Sequence, residues 1–216
     1  MEQNSLKESA YEYLKRKILW GELLPGEVIS EREIMDFLSL GRTPVREALL
    51  LLQNEGLVQM YPRKQTIVKP LAMQDILDLF SLRKMLEPQA AVQYLHQMDL
   101  LTLHEFDRAL HELVGNETSL STFYTEDISF HSYIISCSQN SKLINVCKPL
   151  LLEGLRIGML GAKTTHSKGM EETYRQHHQL LQAIVAEDSN LIRKTFIEHL
   201  NTAQLRALET YRSFTN

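Results

Sequence analysis

Five polar side chains in the later part of the chain fall where helical periodicity places apolar ones. Asp127 and His131 are four residues apart, which stacks them on one helical face with Phe123, Phe130 and Ile134. His177 leads the apolar series Leu180, Leu181, Ile184. His199 follows Ile192, Thr195 and Phe196 and leads to Ala203. Arg83 extends the stripe Ile76, Leu79, Phe80. Burying such groups is costly unless they are paired or bind something. One carboxylate and three imidazoles converging from three helices suit a divalent metal ion, with coordination positions left for water or a ligand oxygen. The competing reading is a set of histidines satisfied inside an ordinary core. His178 competes with His177, although its face offers only Leu181 and Val185. For Arg83 the competing fate is an intrahelical pair with Glu87.

A second group is cationic. Arg42, Thr43 and Arg46 stand at the amino end of one helix, on or beside the face opposite Val45, Ala48, Leu49 and Leu52. Arg32 lies on the preceding helix, and Arg63 and Lys64 lie at a hairpin tip. An arginine so placed can bond guanine O6 and N7 with both nitrogens or clamp a phosphate, and a helix amino terminus itself favours anions. The alternative is a solvated charge paired with Glu31 or Glu47.

The elements that must carry these groups follow from composition and punctuation. The 216 residues are 44% hydrophobic and 23% charged, which excludes a disordered or low-complexity chain and supports a core without staples. The longest apolar run, Ala48 to Leu52, is far too short to span a bilayer. The amino end lacks an apolar signal core, and Cys137 and Cys147 form no Cys-x-x-Cys pair, so a cytoplasmic, reducing setting is expected. The net charge of −4 announces no nucleic-acid partner in bulk, so such a claim rests on where individual cations point.

Four of the six prolines and four of the nine glycines lie in the first 70 residues, which read as a small, turn-rich module. Leu6, Ala10, Leu14 and Ile18 predict a first helix ended by Gly21. Ser30-Glu31-Arg32-Glu33 reads as a capping box opening a second helix to about Leu38. Thr43 is expected to cap a third, with Pro44 in its first turn and Gly56 at its end. Residues 57–61 and 66–69 read as strands joined by Pro62-Arg63-Lys64-Gln65. Three helices and a basic hairpin form the layout of a winged helix-turn-helix over residues 1–70. Residues 71–216 carry apolar residues at three- and four-residue spacing, as in an all-helical second domain. The fold class is therefore mainly α.

The run Leu24-Pro25-Gly26-Glu27, Ile29-Ser30-Glu31-Arg32-Glu33-Ile34, then Arg42-Thr43-Pro44-Val45-Arg46-Glu47-Ala48-Leu49, then Glu55-Gly56-Leu57-Val58 resembles the GntR family of bacterial transcription regulators. The resemblance spans residues 6–70 and implies DNA contacts from Arg32, Arg42, Thr43 and Arg46, with Arg63 and Lys64 from the wing. The wing turn departs from the family, which usually has Gly there. Leu82-Arg83, Leu86-Glu87, Asp127, Phe130-His131, Ser138, Asn140, residues 177–183, Asp188 and His199-Leu200 resemble the FCD effector-binding and dimerisation domain of the FadR-like branch, in its shorter six-helix form. That resemblance implies Asp127, His131, His177 and His199 as ligands of a divalent metal, zinc first with nickel or manganese as alternatives. It further implies Arg83 as a carboxylate anchor and Asn140 as a hydrogen-bond partner for a small organic acid.

The expectation is a homodimeric, ligand-responsive regulator, a repressor by family habit, that reads a pseudo-palindromic double-stranded operator and is not an enzyme. One rival is a regulator in which the metal is itself the signal. Another is a metal-dependent hydrolase on the same four residues, although no Gly-x-Ser-x-Gly or His-Glu-x-x-His motif accompanies them.

Overall fold

A computed structural model describes residues 2–61, 64–115, 120–165 and 168–215. The chain divides into two compact units, residues 1–71 and 72–216.

In the first unit, α1 (Glu2–Leu19), α2 (Glu31–Leu38) and α3 (Arg42–Asn54) accompany three short strands, β1 (Val28–Ile29), β2 (Val58–Met60) and β3 (Thr66–Val68). The face predicted for α1 is buried at Ala10, Leu14 and Ile18 against the buried Val45, Ala48, Leu49 and Leu52 of α3, while Leu6 at the start stays exposed. Both helices end alike. Past α1 the Glu22 N–H reaches the Lys17 carbonyl at 2.8 Å and Gly21 takes φ +62°; past α3 Leu57 N–H reaches the Leu52 carbonyl at 2.9 Å and Gly56 takes φ +73°. These are Schellman closures, whose left-handed residue glycine adopts without strain.

Two expectations change. The amino cap of α3 is Gly41, in extended conformation, so Thr43 is the second helical residue rather than the cap. Pro44 still falls within the first turn, where its missing N–H removes no helical bond. The sheet also has a third strand. β1 pairs antiparallel with β3 (Val28↔Ile67, Ile29↔Thr66), giving the order β1-β3-β2. Two residues are too few to leave a period in the sequence. Ser30 caps α2 as expected, accepting from the Glu33 N–H at 3.2 Å.

The second unit holds, among the described residues, six α-helices: α4 (Met73–Gln93), α5 (Leu100–Leu113), α6 (Leu120–Ser136), α7 (Ser141–Thr165), α8 (Lys168–Val185) and α9 (Ser189–Thr215). α9 packs on α4, α7 and α8, and α6 packs on α4, α5 and α7. The connection at residues 186–188 is short, and Asp188 caps α9 through the Asn190 and Leu191 N–H groups at 3.0 Å each. α9 therefore runs back along α8. His177 lies eight residues before the end of α8 and His199 ten after the start of α9, roughly 12 and 15 Å along their helices, so both reach similar depth. Among the described residues no helix is long and apolar enough to cross a membrane.

Candidate metal centre and nucleic-acid interface

On α6, Tyr124, Asp127 and His131 are spaced three and four apart and share one face, fixed inward by the buried Phe123, Phe130 and Ile134. The buried Leu180, Leu181 and Ile184 turn His177 inward on α8, and Ile192, Phe196 and Leu200 do the same for His199 on α9. Ligand atoms of Asp127, His131, His177 and His199 all come within 4.8 Å of one another. His131 Nε2 and His199 Nε2 are 3.1 Å apart, and His177 Nε2 is 3.0 Å from Asp127 Oδ1. Three histidines are buried almost completely. His178 is elsewhere, half-exposed and 2.9 Å from Asp107.

The donor set fits a metal. Asp127 Oδ1 and His177 Nε2 are buried and close, yet neither makes a hydrogen bond. Donor atoms of a tetrahedral ion with bonds of about 2.0–2.2 Å stand roughly 3.3–3.6 Å apart, which falls between the 3.0 and 3.1 Å of the two nearest pairs and the 4.8 Å limit of the whole set. Two outer nitrogens face acceptors: Glu87 Oε2 lies 2.6 Å from His131 Nδ1, and Gln176 Oε1 lies 3.3 Å from His199 Nδ1, while His177 Nδ1 has no hydrogen-bond partner among the described residues. Such partners turn the Nε2 atoms of His131 and His199 toward the centre. Burial opposes the charge of Asp127, but the contact with His177 and the fields of the three histidines outweigh it and hold the carboxyl below its usual range. Burial lowers His177 against the pull of Asp127, and lowers His199 further with help from His177 and His131. Asp127 is thereby biased toward the carboxylate, and His177 and His199 toward the neutral imidazole, which are the forms that bind a metal.

Arg83 takes the alternative read from sequence, and something more. Its Nε donates to Glu87 Oε1 at 2.6 Å with both side chains buried, so it carries its own counter-charge. It nevertheless lines a cavity of about 60 Å³ shared with Asp127, His199, Tyr124 and Arg206. Asn140 does not line it. Its Oδ1 accepts from the Lys142 and Leu143 N–H groups and caps α7, on an exposed surface, because a short amide beside a helix start satisfies otherwise orphaned donors.

Sequence reasoning passed over Glu87 as a partner of His131, and also Gln176, Tyr124 and Arg206. The spacing of seven from His199 to Arg206, and the glycines at 154, 158 and 161 on α7, were the available signals. A Cβ at Gly154 would stand 2.9 Å from Arg83 Nη1 and one at Gly158 3.0 Å from the Tyr124 ring, so these glycines let the cavity walls close in.

In the first unit, Arg32, Arg42, Arg46 and Lys64 line one open groove of about 760 Å³ between the starts of α2 and α3 and the wing. Arg42 and Arg46 lie 3.7 and 3.8 Å from Glu31, exposed pairs that bind their charges only weakly. Thr43 is exposed in the first turn but does not line the groove, and Arg63 lies outside the described residues.

Residues 78–202 match the FCD domain, and residues 6–68 match the bacterial regulatory proteins of the gntR family. The chain belongs to the GntR family, FCD type. This regulator is 22% identical to the HTH-type transcriptional repressor RspR of Escherichia coli (strain K12) over 197 residues, 90% of this chain and 86% of the relative. Its fold superposes on the E. coli protein McbR/YncC with a TM-score of 0.81 at 20% identity, covering 95% of this chain and 98% of the other. The Zn2+-bound FCD domain of TM0439 matches at TM-score 0.51 and 16% identity, over 64% of this chain and 95% of that domain. The chain is a DNA-binding transcription regulator. Members of its family are regulators rather than enzymes, which removes the hydrolase alternative.

Proposed function

We propose that this regulator is a cytoplasmic, homodimeric repressor that binds a pseudo-palindromic operator and responds to a small organic acid held next to a divalent metal. The observation that carries the reading is the convergence of Asp127, His131, His177 and His199 within 4.8 Å, with two buried donors left unbonded. The nitrogen-rich set suits zinc first, with nickel or manganese also compatible. When bound, the metal supplies Lewis acidity for a ligand oxygen. Asp127 balances its charge, Glu87 and Gln176 hold the outer nitrogens of His131 and His199, and Arg83 adds a guanidinium whose charge Glu87 already offsets. Arg32, Arg42 and Arg46 are the operator contacts, with Thr43, Arg63 and Lys64 beside them; the groove shared by the three arginines and Lys64 supports this. That the relative RspR is a transcriptional repressor supports repression, and the zinc in TM0439 supports the metal.

Effector binding alters operator affinity only by its difference in affinity between two arrangements of the regulator. The test is native mass spectrometry of the wild type and Asp127→Ala, followed by gel shifts. One divalent ion per wild-type chain, lost in the variant together with effector response while intrinsic operator affinity persists, is the expected outcome. Unaltered metal stoichiometry in Asp127→Ala refutes the ligand set.

A further inference from the structure

The cavity beside the Asp127 cluster holds a cation that the metal reading leaves unused. Arg206 stands on α9 seven residues after His199, two turns along the same face, and both line the cavity. Its Nη1 donates to the Gly169 carbonyl at 3.0 Å and to the Thr173 hydroxyl at 2.6 Å, clamping the guanidinium against the start of α8. Its Nη2 is buried and has no hydrogen-bond partner among the described residues. Glu172, whose field reaches Arg206, spends its oxygens on Arg175 at 2.6 Å and on Gln176 at 2.8 Å. Arg83 differs, because Glu87 neutralises it in place. A charged donor withheld from both water and protein acceptors is costly until an outside acceptor completes it.

Tyr124 stands at the same corner. A Cβ on Gly169 would lie 3.4 Å from Tyr124 Oη and 3.6 Å from Arg206 Nη1, so phenol and guanidinium converge there. The cavity thus offers two sites for acidic groups: the Asp127 and histidine set at one, and Arg206 with Tyr124 at the other. The cavity is small, about 60 Å³, which favours two acidic groups joined by a short chain.

We infer that Arg206 is a second anion anchor and that the ligand is a short dianion, with one acidic group facing Asp127, His131, His177 and His199 and the other accepting from Arg206 Nη2 and the Tyr124 hydroxyl. This rests on the metal-and-acid reading above. The experiment is calorimetric titration of the metal-loaded full chain with malonate and succinate against propionate and butyrate, which match them in carbon count but carry one carboxylate.

At least one diacid binds about tenfold or more tightly than its monoacid, the factor one added charge-assisted bond supplies. In Arg206→Gln that preference disappears, while monoacid affinity and metal stoichiometry stay as in wild type. Equal affinities in wild type, or a preference that survives in Arg206→Gln, overturn the anchor alone. A metal-loaded chain that binds neither acid class overturns the effector reading and the anchor with it. Should Arg206→Gln fail to fold, Arg206→Lys repeats the comparison, since it keeps the charge and the reach to Thr173 but not the two-nitrogen fork. Equal wild-type affinities overturn the anchor whichever variant folds.

Discussion

Replacing Glu87 by Gln tests stability and metal binding at one atom. Glu87 is buried, with Arg83 Nε at 2.6 Å on one oxygen and His131 Nδ1 at 2.6 Å on the other. Burial opposes its charge, but Arg83 and then His131 outweigh that and lower its pKa from 4.5 to about 2. At about 1.4 kcal/mol per unit, the carboxylate contributes about 3 kcal/mol to the second unit at neutral pH. This agrees with the roughly 3–5 kcal/mol lost when one member of a buried ion pair is removed. The contribution is present above the unfolded-state value near 4.5 and is lost as pH falls toward about 2. Glu87→Gln should therefore cost about 3 kcal/mol in urea unfolding of the metal-free protein, because buried Arg83 is left without its counter-charge. It should also weaken metal affinity about 10–100-fold in competition with a chelator, since His131 loses the acceptor that orients it. The double variant Arg83→Met/Glu87→Leu separates the two effects. Well-packed apolar replacements of an ion pair are often near neutral, so most stability returns while metal affinity stays low. A cost below about 1 kcal/mol for Glu87→Gln, or an unchanged metal affinity in both variants, refutes the reasoning.

Arg46→Ala should weaken specific operator binding about 10–100-fold in gel shifts, with melting temperature and metal content unchanged; equal affinity removes α3 from the recognition surface. Because His177 and His199 are held neutral below their usual range, the unfolded chain takes up protons first as pH drops below about 6.5. Melting of the metal-free protein should then fall between pH 7.5 and 5.5, by up to about 1.4 kcal/mol per pH unit per imidazole, and a flat profile contradicts their burial. Gly158→Ala places a Cβ 3.0 Å from the Tyr124 ring, so calorimetry should show weaker acid binding with metal stoichiometry intact; unchanged acid binding contradicts the closeness of that wall.

Much of this was legible locally. The burial of Val45, Ala48, Leu49 and Leu52, the closures at Gly21 and Gly56, and the shared face of Asp127 and His131 all follow from periods and turn chemistry spanning a few residues. The amino cap of α3 is Gly41, two residues before the expected Thr43. Thr43 has a capping side chain, but Gly41 takes the extended conformation that a cap needs, and either residue can precede Pro44. β1 left no local trace, since two residues become a strand only by pairing with β3.

Because helical geometry repeats within one turn, residue spacing alone shows which faces are apolar and which polar residues interrupt them. Tertiary packing decided what those residues meet. It separated His177 from His178 by bringing α9 back along α8, and gave Glu87 two partners, one on its own helix and one across on α6. It also clamped Arg206 Nη1 against Gly169 and Thr173 and left the buried Nη2 without a partner among the described residues, whereas the Asn140 cap of α7 is local. The meeting of Glu87 with His131, of His177 with His199, and the clamp on Arg206 join groups far apart in the chain, and no local period records them.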